Sequence, residues 1–238
     1  MFRLSACLPA AALVLVLAAP ARAQRAGDAV AVLTDSAKAI SEVKSASFKA
    51  RKYTEGMLKG LMDVSGEGKF IRTVPDRMKS PQWYTGRSKI SLGGSKEETF
   101  TVALDQSGTV TWVDEANKKV LKSPLQVRSE AYSQLGSGQQ LLIDEFLAPK
   151  PFDQPLTQSE SLKLEAPADV AGEPCDVVRV IYPGGSREIL WSISKRDRLP
   201  RRVEMIGNEK GNQPVVMVNE LSELKTEPVL GPEQLAVA

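Results

Sequence analysis

Whatever chemistry this 238-residue chain performs is done without histidine, because it contains none. That removes the usual general base at neutral pH, every Ser-His or Cys-His nucleophile pair, and the commonest transition-metal ligand. The two cysteines, Cys7 and Cys175, are too few and too far apart for a CxxC redox pair or a structural zinc site. Asp144 and Glu145 are adjacent carboxylates, but neighbours on a helix project about 100° apart, so they read as solvated surface and not as a shared acid/base site. Gly66-Glu67-Gly68 and Gly136-Ser137-Gly138 lack the wider spacing of a dinucleotide or phosphate loop. An enzyme built from this chain would have to work with Ser, Lys and carboxylates alone. The residues therefore point away from catalysis and imply no cofactor and no metal.

Chemistry of binding is what remains. Lys195 to Arg202 carries five bases and one acid across a tight turn, and Arg196, Arg198, Arg201 and Arg202 could meet an anionic headgroup or an acidic partner there. The plainer alternative is a hairpin tip kept soluble by its charges. Trp83, Trp112 and Trp191 either pack a sheet or line a cavity. Cys175 follows Gly172-Glu173-Pro174 at the start of an apolar run, where a small buried thiol is common, and no base stands beside it in sequence.

The elements that must position these residues are mostly strands. Asp28 to Val43 carries Val30, Leu33, Ala37 and Ile40 at steps of three and four, which predicts a helix with one buried stripe. The period then becomes two. Thr99 to Leu104 and Thr109 to Val113 flank the turn residues Asp105-Gln106-Ser107-Gly108, and a second turn at Glu115-Ala116-Asn117 leads into Lys118 to Lys122. Cys175 to Tyr182 and Arg187 to Ser194 flank Pro183-Gly184-Gly185-Ser186, a hairpin signal because glycine takes up positive backbone angles readily. Arg201 to Ile206 and Val215 to Leu224 follow. Weaker strand signals lie at Ser47 to Thr54, Leu58 to Thr73, Gln82 to Leu92 and Ser161 to Glu165. Glu130 to Leu147 lacks alternation and could bury Leu135, Leu142 and Phe146 as a helix. About ten strands joined as hairpins predict one antiparallel sheet, which tends to curl at that width. Helices over its hollow side would give a half-open barrel with an apolar interior.

The N-terminus reads as an export signal. Arg3 is followed by the uncharged apolar run Leu8 to Ala19 and the small-x-small site Ala21-Arg22-Ala23, so residues 1–23 are expected to be a cleaved signal peptide and residues 24–238 one exported, soluble domain. The alternative is a buried N-terminal helix. Cleavage removes Arg3 and Arg22 and no acid, leaving 29 bases against 29 acids. It also leaves Cys175 as the lone thiol, so no internal disulfide can form. The global positive excess of a nucleic-acid binder is absent. Charge is nonetheless segregated, with 12 bases and 5 acids from Lys38 to Lys89 and 2 bases and 9 acids from Glu130 to Asp176. That is enough for two electrostatic faces if the fold keeps the segments apart, or else both are ordinary solvated strand faces.

Two segments resemble the LolA-like lipoprotein-carrier superfamily. Asp105-Gln106-Ser107-Gly108-Thr109-Val110-Thr111-Trp112-Val113-Asp114, continuing to Asn117-Lys118-Lys119-Val120, is similar to a hairpin of those proteins. Val170-Ala171-Gly172-Glu173-Pro174-Cys175-Asp176-Val177-Val178, with Leu190-Trp191-Ser192-Ile193 and Arg198-Leu199-Pro200-Arg201-Arg202, is similar to their second half. Ser45-Ala46-Ser47-Phe48 after an amphipathic helix also matches. The resemblance is to a branch of periplasmic proteins that share the carrier fold, not to the classical carrier itself. It implies a mainly β fold: a single, strongly curled antiparallel sheet forming an unclosed half-barrel, with helices over the concave face. The function it implies is non-enzymatic binding of a lipid, a lipoprotein acyl chain or another amphiphile. Phe70, Trp83, Phe100, Trp112, Leu142, Phe146 and Trp191 are then the expected cavity lining. The alternative is a cell-envelope interaction or accessory domain with a packed core and no ligand, working with a partner such as a thioredoxin-like protein. In that case Arg196, Arg198, Arg201 and Arg202 are the expected contacts.

Overall fold

The structure, a computed structural model of the chain, describes residues 18–71, 83–92, 98–104, 109–124, 145, 146, 148, 150–185, 187–207 and 214–226. A long helix α1 (Ala18–Glu42) leads into twelve strands. The first six are β1 (Ser45–Gly56), β2 (Met62–Ile71), β3 (Trp83–Leu92), β4 (Glu98–Leu104), β5 (Thr109–Asp114) and β6 (Lys119–Pro124). A short helix α2 (Asp153–Gln158) precedes β7 (Ser161–Leu164), β8 (Ala168–Val170), β9 (Glu173–Ile181), β10 (Glu188–Ser194), β11 (Pro200–Gly207) and β12 (Val215–Lys225).

All the strands join one antiparallel sheet in the order β6-β5-β4-β3-β2-β1-β12-β11-β10-β9-β7, with β8 also paired to β9. Two meanders therefore run outward from a central seam between β1 and β12. The sheet is not closed into a barrel, and it forms the half-barrel expected from the hairpin pattern.

Side chains alternate across the pleat, so the two parities of a strand lie on opposite faces of the sheet, and α1 packs against β7, β9 and β10. On β1 the inner parity is Ala46, Phe48, Ala50 and Thr54, all buried, while Lys49 and Arg51 on the outer parity are exposed. The inner face joins α1 and the segment around α2 in one core: Phe48, Phe70, Phe146, Phe152, Val178, Val180, Trp191, Val203 and Leu221 pack with Ala29, Leu33 and Ile40. Phe70 sits 5.7 Å from Phe146 and 6.3 Å from Phe48, centroid to centroid. Phe152 meets Trp191 edge-on at 5.0 Å. Burying each such ring stabilises the fold by about 1.5–3 kcal/mol. Gly68 makes the packing possible, because a Cβ there would stand 2.5 Å from the Phe48 ring directly across the ladder.

Some expectations are corrected. The inner stripe of α1 is Ala29, Val32, Leu33, Ser36 and Ile40, while Val30 is 43% exposed. Small residues, which a hydrophobic pattern underweights, set the face that lies against the sheet. Strand β2 starts at Met62 and not at Leu58. Residues 57–60 form the turn, entered through Gly56 at φ 66°, where a Cβ would strike the carbonyl oxygen of Pro214. Strand β8 and helix α2 carry too few residues to show a period and were not anticipated. Of the helix expected over Glu130 to Leu147, Glu145 and Phe146 are helical; Leu135 and Leu142 lie outside the described residues. Among the described residues no helix is long and apolar enough to cross a membrane.

Candidate ligand-binding face

One row of side chains crosses the concave face from strand to strand. Val64 on β2 pairs with Lys52 on β1, Lys52 with Asn219 on β12, Asn219 with Val203 on β11, Val203 with Trp191 on β10, and Trp191 with Val178 on β9. Adjacent strands are about 5 Å apart, so Lys52 and Asn219 are direct neighbours within an otherwise apolar row.

Both are unusual for that position. Asn219 is 2% exposed, and neither its amide nitrogen nor its amide oxygen has a hydrogen-bond partner among the described residues. Most buried polar side chains are paired, and an unpaired one costs about 1–3 kcal/mol. Lys52 is half-buried, and loss of water around its ammonium pulls its pKa below the ordinary 10.5. No carboxylate among the described residues offsets that desolvation. Further along the row, Trp191 is 2% exposed and its indole N–H is also unpaired among the described residues. The row thus holds an ammonium, an amide and an indole N–H, chiefly donors, over an apolar floor.

Lys52 also stands at a boundary. The main core has Phe146 against Phe70 of β2 and Phe152 against Trp191 of β10. Val64, 1% exposed, belongs to a separate, smaller cluster with Met62 and Trp112.

Of the expected cavity residues, Phe70, Phe146 and Trp191 converge in the main core and Trp112 in the smaller cluster. Trp83 and Phe100 lie on β3 and β4 at register positions opposite Ile71 and Asp114. Leu142 is outside the described residues. The outer face carries a groove of about 360 Å³ lined by Lys49, Arg51, Ser65, Glu67, Lys89 and Ser222. Of its charges, Lys49 pairs with Glu223 and Arg51 with Asp63.

The basic turn is engaged within the fold. Lys195 and Arg198 meet Asp176, and Arg196 and Arg201 meet Glu173. Arg201 also meets Asp197, and Arg202 meets Glu204 and Glu220. Arg201 is 4% exposed at its side chain, with Nε donating to Glu173 Oε2 at 2.5 Å. Five bases thus face five carboxylates, four of them on β9, β11 and β12, outside the run that looked basic in sequence. Cys175 is fully buried beside this network, and burial pushes its thiol up to about 11. Among the described residues no group of three His, Cys, Asp or Glu side chains could hold a metal ion.

Lys52 and Asn219 were missed in sequence because lysine on a strand reads as surface. The available signal was parity: Lys52 shares the phase of Phe48 and Ala50, opposite to Lys49 and Arg51.

The unclosed antiparallel half-barrel is a fold shared with solved structures. Two solved structures carry the likeness. MucB matches over 89% of this chain at 15% identity with a TM-score of 0.51, and the chain spans 63% of the length of MucB. The lipoprotein LppX of Mycobacterium tuberculosis matches over 86% of this chain and 98% of its own, at 12% identity and a TM-score of 0.51. At such identities what is shared is the fold. No known family profile and no curated protein sequence matches the chain.

Proposed function

We propose that this chain is an exported, non-enzymatic binding protein of the periplasm that holds a lipid, a lipoprotein acyl chain or another amphiphile on the concave face of its half-barrel. Residues 1–23 act as the signal peptide, and residues 24–238 form the working domain. The observation that carries this reading is the concave face itself: a curled sheet left unclosed, largely apolar along its inner parity, and holding buried polar groups that have no partner among the described residues. Apolar contact supplies affinity at about 25 cal/mol per Å² removed from water, and a few placed polar groups supply orientation. A LolA-like fold supports a binding role without specifying the ligand.

The alternative, an envelope interaction or accessory domain working through Arg196, Arg198, Arg201 and Arg202, has less support, since carboxylates of the same fold already meet those charges. The test is titration of the delipidated protein with a fluorescent fatty acid. Saturable one-to-one binding that palmitate displaces is expected. A folded protein that binds neither this probe nor a lysophospholipid would rule the reading out.

A further inference from the structure

Lys52 and Asn219 form the one place on the described concave face where a cation and an unpaired amide stand side by side. Neither is explained by the fold. An apolar residue at either position would pack against Val64, Val203 and Leu221 without the desolvation that both groups now carry. A half-buried ammonium beside a buried amide that has no partner among the described residues fits a ligand that brings the missing acceptor with it.

We propose that Lys52 and Asn219 anchor the anionic end, a carboxylate or a phosphate, of an amphiphile whose chain lies over Val64, Met62 and Trp112. The inference rests on the amphiphile-binding reading and adds to it the charge of the ligand and the direction in which it lies. Direction follows from packing. The main core occupies the face around Phe48, Phe70 and Trp191, with the Phe146 and Phe152 rings seated on it, whereas Val64, 1% exposed under the partly buried Met62 and Trp112, belongs to a separate cluster, and the chain parts those two side chains to lie there. Polarity follows from the donors. The Lys52 ammonium has donors only, and the Asn219 amide can turn its NH₂ toward the same acceptor, so a single anionic oxygen pair can engage both. An uncharged alcohol or ester would accept from the ammonium but bring it no counter-charge.

The experiment measures displacement of a neutral fluorescent acyl probe from the delipidated full-length chain by palmitate, by hexadecanol, by lysophosphatidic acid, and by acetate or inorganic phosphate alone. Palmitate and lysophosphatidic acid are expected to bind roughly tenfold or more tightly than hexadecanol. Lys52→Met is expected to remove that preference while leaving hexadecanol within about twofold. Trp112→Ala, by contrast, should weaken acid and alcohol alike, because it removes apolar contact and no charge. Arg51→Met, on the outer face, should change nothing. Asn219→Leu supplies a second readout: it should reduce the preference for the acids and raise the melting temperature, since an idle buried amide is replaced by a packing side chain of similar size.

Equal binding of acid and alcohol by the unaltered protein, or a preference that survives Lys52→Met, overturns the anchor while leaving amphiphile binding intact. Failure of every amphiphile to bind overturns both. Binding of acetate or phosphate as tightly as their long-chain counterparts, abolished by Lys52→Met, supports the anion site and rejects a lipid as its source.

Discussion

Glu173 offers the sharpest test of how the basic turn is held. Its carboxylate, 17% exposed, accepts from the guanidinium of Arg201, 4% exposed, and from the hydroxyl of Ser194. Glu173→Ala leaves a nearly dry guanidinium without its main partner, a change that costs about 3–5 kcal/mol when a buried pair is broken on one side. Asp197 remains on the other side of Arg201, which places the expected loss near the lower end, about 3 kcal/mol. For a domain of this size that is a drop of about 6–12 °C in melting temperature. The comparison is Asp63→Ala. Asp63 holds Arg51 through two hydrogen bonds of 2.9 and 2.7 Å, but the two side chains are 44% and 58% exposed. Solvent screening limits that pair to about 1 kcal/mol or less. Thermal and urea unfolding of both variants, with Glu173→Ala/Arg201→Met as a third, separates burial from pairing. The double variant should recover most of the loss. Equal losses for Glu173→Ala and Asp63→Ala, or no recovery in the double variant, would show that the burial argument is wrong.

Other consequences can be measured with the same protein. The Cys175 thiol, held up to about 11 against an ordinary 9.0, should be only about one part in a thousand ionised at pH 8, so it should resist a thiol reagent until the protein unfolds. Because the native state keeps this proton while the unfolded state loses it, Cys175 lowers stability only as pH rises from 9 to 11, and Cys175→Ala should flatten that limb. Lys52 works in the opposite sense. Its native pKa lies below 10.5, so its penalty is full below that lowered pKa and fades toward pH 10.5, and Lys52→Met should stabilise most at neutral pH. Gly68→Ala forces a methyl into the Phe48 ring and should cost about 1–3 kcal/mol by urea unfolding.

What was legible in the sequence is what depends on neighbours along the chain. The Pro183-Gly184-Gly185 hairpin and the Asp114 turn, where the carboxylate accepts from Asn117 N–H and Nδ2, are written in local turn chemistry. The alternation of β4, β5, β10 and β12 is written in period two. The inner face of α1 follows the expected stripe at Leu33, Ala37 and Ile40 and departs from it at Val30, whose place against the sheet is taken by Ala29 and Ser36. The turn at Lys195 to Arg202 looked like a free cationic patch because Glu173, Asp176 and Glu220 join it only through strand pairing. The same holds for the candidate anchor. Lys52 and Asn219 are 167 positions apart in the sequence, and only the central β1–β12 seam, which joins the first and last strands of the chain, makes them neighbours.

The most direct measurement is native mass spectrometry of the protein purified from the periplasm of a bacterial host, before and after extraction with organic solvent. A binding half-barrel predicts a population heavier than the bare polypeptide by one acyl-bearing anion, lost on extraction and restored by adding palmitate. A single species at the bare polypeptide mass, unchanged by extraction and by any added amphiphile, would contradict it.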